Sequence, residues 1–182
     1  MKHLPAPFRS LALLLLAILP VAFSAAQAAG RDPATHFFDE SFGNLQEELE
    51  TAREEGKKGL MIFFEMDDCP FCHRMKREVL NRPDVQDYYR KHFRNLSVDI
   101  EGDVELVNFS GEQTTEKDFA TREHRVRATP VIAFFDLDGK RVARFIGATR
   151  DAREFLLLGR YVAEGHYRDG SFTRFKRAQR KR

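Results

Sequence analysis

The chain has 182 residues, 30 Lys and Arg against 28 Asp and Glu, two Cys, four Met and no Trp. Its near-balanced charge carries no sustained basic face through the body, so nucleic acid is not an expected partner. With only two cysteines it is no disulfide-dense scaffold, and its length suffices for one domain with a real core.

The N-terminus carries Lys2 and Arg9, then an apolar run from Leu11 to Phe23 interrupted at Pro20, then Ala26-Gln27-Ala28. This basic, apolar, small-residue order predicts a cleavable secretory signal over residues 1–28. The run is shorter than the roughly 20 apolar residues of a spanning helix, so no stable membrane anchor is expected after cleavage. Export is therefore expected. Cleavage leaves residues 29–173 as one domain, followed by a basic tail at 174–182 with six Lys and Arg and no acid. A solvated, frayed tail is the expectation there.

Residues 32–41 form an indistinct entry segment. Residues 44–55 predict an amphipathic helix with Leu45, Leu49 and Ala52 on one side and Gly56 ending it. Residues 59–64 hold an apolar run suited to a buried strand. Asp67 and Asp68 break it, and Pro70 suits the first turn of a helix running through Met75 and Val79. Asn81-Arg82-Pro83 interrupts that helix, and a second piece is expected over 84–92. A second core strand is expected over 93–100, a short strand over 104–109, a turn at Ser110-Gly111 and a helix over 115–124. Pro130 opens an apolar strand, Asp136 to Lys140 a hairpin turn, residues 141–146 the return strand, and residues 151–164 the last helix. This order predicts an α/β fold with a central mixed sheet and helices on both faces.

Both cysteines lie in Cys69-Pro70-Phe71-Cys72. An exported chain meets conditions where disulfides persist. A bridge closing so small a loop constrains the unfolded chain little, so the placement favours chemistry over stapling. A cysteine at a helix start meets unpaired N–H groups and the positive end of the helix dipole, both of which favour the nucleophilic thiolate. Cys72 follows nearly one turn later, on the same face, where it can resolve a mixed disulfide formed at Cys69. With His73 the string also matches a c-type haem attachment site formally. No Met lies beyond Met75 to supply a distant axial ligand, although His92, His124 and His166 remain. Zinc would need two further ligands, and neither a second Cys pair nor a His pair at finger spacing exists. No metal and no bound cofactor is therefore expected.

The run from Phe63-Phe64-Glu65 to Cys69-Pro70-Phe71-Cys72, followed by Thr129-Pro130 and an apolar strand with an Asp-Gly hairpin, resembles the thioredoxin fold across nearly the whole exported chain. Tyr161 to Tyr167, with Ser171-Phe172, is similar to the C-terminal segment of periplasmic thioredoxin-related proteins found with sulfur-oxidation systems. The chain departs from typical thioredoxins in three places. Asp68 replaces the Trp before the first Cys, Pro-Phe replaces Gly-Pro between the cysteines, and Phe63 replaces a buried Asp.

The resemblance implies a thioredoxin-like thiol–disulfide oxidoreductase that reduces protein disulfides. Protein thiols and disulfides would be its partners, and a membrane thiol-electron transporter its source of electrons. A protein-disulfide oxidant or isomerase, or a non-catalytic thioredoxin-fold binding module with a static bridge, are the alternatives. The resemblance also implies that Thr129-Pro130 is a cis-proline loop facing the cysteines; from the sequence alone, a trans proline at a strand start is the ordinary expectation. In such a loop Thr129 presents backbone to an extended substrate, and Pro130 keeps metal-binding groups from the thiols. Phe71 is expected to be exposed as part of a docking surface. Glu65 shares strand parity with position 63, which makes it a candidate proton relay to Cys72; the alternative is a solvated carboxylate. Asp67 and Asp68 are expected as exposed loop acids, with His73, Arg74 and Lys76 offsetting them or simply forming the helix's polar face.

Overall fold

The computed structural model describes residues 30–180. The expected signal segment 1–28, with its cleavage site and the export it implies, lies outside the described residues. So do the last two residues of the basic tail.

Four strands form the central sheet: β1 Leu60–Glu65, β2 Arg94–Asp99, β5 Val131–Phe135 and β6 Arg141–Ile146. Their order is β2-β1-β5-β6. β2 runs parallel to β1, while β5 pairs antiparallel with both β1 and β6, so the sheet is mixed. The two inner strands are buried on both faces, which is why each reads as an unbroken apolar run rather than an alternating one.

Strand alternation divides the core into two layers. Met61, Phe63, Ile132 and Phe134 face one cluster, shared with Cys72, Met75, Tyr89, Phe155 and Leu158. Leu60, Ile62, Phe64, Val131 and Phe135 face the other, shared with Leu45, Leu49 and Phe119. The first layer is covered by helices α3 Pro70–Met75, α4 Pro83–His92 and α6 Ala152–Ala163. The second is covered by α2 Leu45–Glu54 and the α5 Glu116–Asp118 region. The fold is thioredoxin-like, a mixed sheet with helices on both faces.

Local chemistry sets the ends of these elements. Asn44 caps α2 by accepting from the N–H groups of Gln46 and Glu47, and Asp151 caps α6 through Glu154 N–H. In the β5–β6 turn the Asp136 carboxylate accepts from Asp138 and Lys140 N–H groups, and Gly139 takes φ +73°, a conformation that favours glycine.

Four expectations need correction. The helix starting at Pro70 does not stay α-helical to Val79; Lys76–Leu80 winds as a π-helical turn, and Phe119–Glu123 does the same after α5. The strand expected over 104–109 is only β3 Glu105–Val107, and it pairs with β4 Gln113–Thr115 in a separate two-stranded sheet. That second strand is polar and three residues long, so it gives no periodic signal. The entry segment holds a short helix, α1 Pro33–His36, and delivers Phe37 to the core with no exposed surface. Finally, the boundary drawn at 173/174 falls inside helix α7 Phe172–Gln179. Ser171 caps that helix, and Phe172 and Phe175 pack on Tyr161 of α6, so the start of the basic segment is held on the domain rather than frayed.

Candidate functional site

β1 ends at Glu65, and Asp67 and Asp68 turn the chain toward α3. Cys69 is the N-cap of α3, with extended backbone at φ −117° and ψ 96°, and Pro70 occupies the first helical turn. Proline fits there because its missing N–H would have had no intrahelical partner. The Cys69 sulfur accepts from Cys72 N–H at 3.1 Å, and the Cys69 carbonyl accepts from His73 N–H at 3.0 Å. The two cysteines, their Cα atoms 5.2 Å apart, are joined as a disulfide.

In this disulfide-closed state both cysteines are buried, Cys69 2% and Cys72 1% exposed. What distinguishes them is the helix start: both are packed into the first core layer, but the Cys69 sulfur receives an N–H bond. Phe71, between them, is 62% exposed.

The register places Thr129 and Pro130 beside this loop. Val131 pairs with Phe64, so the chain just before β5 meets the end of β1 from which the cysteine loop departs. The Thr129–Pro130 peptide is cis, Pro130 is buried, and its carbonyl accepts from Gly147 N–H at 2.8 Å. The Thr129 hydroxyl is buried and has no hydrogen-bond partner among the described residues.

Glu65 shares the face of Met61 and Phe63, the cysteine side of the sheet. It is not simply solvated. Lys76 Nζ sits 2.6 Å from its carboxylate, and the Ser97 hydroxyl donates to it. Phe63 itself is fully buried in the first layer, leaving Glu65 as the acid on this face of β1. Glu116 lies nearby and accepts from Asp99 N–H at 3.3 Å. Burial raises its carboxyl above the usual range, and the charges of Asp99 and Glu65 add to that rise although the Asp99 N–H bond opposes it.

The cations after Cys72 do not pair with Asp67 or Asp68 among the described residues. His73 Nε2 lies 2.8 Å from the Asp67 carbonyl, which requires the Nε2–H tautomer as donor. Arg74 donates to the Thr149 carbonyl at 2.9 Å and approaches Glu78 at 3.8 Å. Lys76 goes to Glu65. Two positioning contacts went unread in the sequence: the His73–Asp67 bond across the cysteine loop, and the Arg74 and Met75 contacts to Thr149, whose hydroxyl donates to the Met75 sulfur at 3.3 Å. Neither leaves a sequence signal, since both join a side chain to a loop placed only by the fold. Among the described residues no cluster of three or more His, Cys, Asp or Glu is arranged to hold a metal.

Residues 45–163 match the family described as Thioredoxin-like domain. Among solved structures, the chain is similar to a provisionally assigned disulphide-isomerase from Bacteroides thetaiotaomicron, at 29% identity and TM-score 0.55 over 76% of this chain and 98% of that one. It is similar to a thioredoxin from Thermus thermophilus, at 29% identity and TM-score 0.50 over 64% and 81%. It also shares the fold of the DsbD C-terminal domain from Neisseria meningitidis, at 21% identity and TM-score 0.50 over 65% and 93%. No curated protein matches the chain. With the family match spanning most of the chain and the CxxC pair closed as a disulfide at a helix start, the chain belongs to the thioredoxin-like family.

Proposed function

We propose that the protein is a periplasmic thiol–disulfide oxidoreductase that reduces protein disulfides through Cys69 and Cys72. The observation that carries this is the disulfide at the α3 N-terminus, with a backbone N–H already directed at the Cys69 sulfur. In the reduced protein that N–H and the helix dipole stabilise a Cys69 thiolate. The thiolate attacks one sulfur of a substrate disulfide, forming a mixed disulfide and releasing the other substrate sulfur as a thiolate. Cys72, losing its proton, then attacks the Cys69 sulfur and expels the second substrate thiolate. Two electrons pass to the substrate, and the protein is left as the closed pair. Glu65, on the cysteine side of the sheet, is the proton acceptor for Cys72 in this scheme. Phe71 and the Thr129–Pro130 backbone form the surface that meets an extended substrate segment.

Return to the dithiol takes two electrons from another dithiol protein, for which a membrane thiol-electron transporter is proposed. Periplasmic residence rests on the signal-like order of residues 1–28, and kinship with proteins of sulfur-oxidation systems rests on residues 161–172. The similarity to a provisionally assigned disulphide-isomerase favours one second reading, isomerisation by the same dithiol with no net electron flow.

The test is a Cys72→Ser variant expressed with its signal segment. Mixed disulfides with periplasmic proteins should accumulate on Cys69 and dissolve under dithiothreitol. Absence of any such species, with the variant folded and exported, would sink the proposal.

A further inference from the structure

Residues of α4, α6 and α7, with Arg150, line a cleft of about 520 Å³. Such a volume falls within the range of small-molecule pockets. Its floor is apolar, formed by Leu156, Leu157 and the ring of Tyr88, and its rim carries Arg150, Arg153, Arg160, Lys176 and Arg180. Among the described residues, two acids, Asp84 and Glu154, line it.

Both acids are already engaged. Glu154 accepts from Lys176 Nζ at 2.6 Å and from Arg150 N–H at 2.7 Å. The two Asp84 carboxylate oxygens accept from Arg82 Nε and Nη2 at 3.0 Å each. Arg160 is paired with Glu164 on the outer surface and Arg150 with Asp151, while Arg153 forms no ion pair among the described residues. The cleft therefore presents an excess of guanidinium donors above an apolar floor. Burial pushes the Tyr88 phenol up to about 12, so it remains a protonated O–H group at neutral pH.

We infer that this cleft binds a small organic anion: a carboxylate or sulfonate attached to an aromatic or short acyl body. The guanidinium of Arg153 offers paired N–H donors that match a carboxylate or sulfonate. Leu156, Leu157 and Tyr88 cover the apolar body. A purely inorganic anion leaves that floor wet, and a neutral apolar molecule leaves the arginines unused. The site stands apart from Cys69 and Cys72, neither of which lines it.

The probe is 1-anilinonaphthalene-8-sulfonate, titrated by fluorescence into the purified, folded protein, with decanoate as competitor. One saturable site, displaced by decanoate and weakened by added salt, is expected. Arg153→Gln should weaken it about tenfold, the scale of one lost charge-assisted contact. Arg127→Gln, at an exposed arginine outside the cleft, should leave it unchanged. Arg153 is exposed, and far-UV circular dichroism checks that the variant is folded. Amide shifts in ¹⁵N-labelled protein should concentrate at Tyr88, Leu157 and Gln179. Non-saturable binding, equal affinity in Arg153→Gln, or shifts centred on Phe71 and Cys69 would each overturn the inference. So would binding to vesicles of phosphatidylcholine and phosphatidylglycerol without binding of the soluble anion, which would make the arginines a lipid-contact face.

Discussion

The backbone N–H of Cys72 donates to the sulfur of Cys69 at 3.1 Å, inside the first turn of α3. The Cys69 sulfur thus sits where the helix offers its unpaired N–H groups, while both cysteines lie within the packed core layer. Burial does not separate the two, so any difference in reactivity comes from this bond and the helix field.

In the reduced protein Cys69 should therefore react first. With iodoacetamide at pH 7, Cys69 should be alkylated at least about tenfold faster than Cys72, the ratio that a one-unit pKa difference gives. Peptide mass spectrometry of briefly labelled protein reads the ratio. Faster labelling of Cys72 would reverse the proposed roles.

Glu65 is bound by Lys76 and Ser97 on the cysteine side of the sheet. Glu65→Gln should leave alkylation of Cys69 unchanged and slow the resolution step by about 10²-fold, the lower scale of acid–base catalysis. Single-turnover release of a mixed disulfide measures that step. Lys76→Met removes the ion pair but keeps the carboxylate, so it should slow resolution less. If the two variants behave alike, Glu65 is only the anchor for Lys76.

Close packing between α4 and α6 gives a stability prediction. A Cβ on Gly159 would lie 3.0 Å from ring atoms of both Tyr88 and Tyr89. Tyr89 cannot give way easily, being stacked on Phe155 at 4.2 Å with its hydroxyl bonded to the Phe155 carbonyl at 2.7 Å. Alanine in place of glycine gains about 1 kcal/mol of helix propensity, but overpacking costs about 1–3 kcal/mol. Gly159→Ala should be net destabilising by about 1 kcal/mol in urea unfolding. A rise in the midpoint would show that the helices separate without strain.

His124 packs against Phe64, Phe119 and Phe135. Burial, with the charges of Arg141 and Arg144 adding to it, pushes its pKa down from 6.5 to about 4. The folded protein thus keeps His124 neutral in a range where the unfolded chain protonates it. Unfolding takes up a proton there, so this contribution is intact above pH 6.5 and is lost as pH falls toward 4. Thermal unfolding of wild type and His124→Gln across this range should show a difference that shrinks on acidification. Parallel curves would mean that His124 has the same proton affinity in both states.

Much of the frame was legible because the inner strands and the faces of α2 and α6 carry their burial in the apolar pattern itself. Cys69 and Cys72 were legible from spacing, and Pro70 from its fit to a helix start. What was hidden depends on tertiary packing. The π-helical turns after Met75 and Asp118 have no composition of their own. Phe37 reaches the core from an irregular segment. Ser171 caps α7 and Phe172 and Phe175 pack it down, contacts hidden behind the basic residues that read as a tail. The strand parity of Glu65 was readable, whereas its partners Lys76 and Ser97 come from the following helix and the neighbouring strand.

The most direct measurement is the equilibrium of Cys69 and Cys72 against glutathione, with thiols trapped by alkylation and counted by mass. An exchanging pair should interconvert as one two-electron couple, with a midpoint between about −270 and −120 mV. A pair that stays oxidised to below about −300 mV would behave as a static structural bridge, and that result would contradict thiol–disulfide exchange as the protein's chemistry.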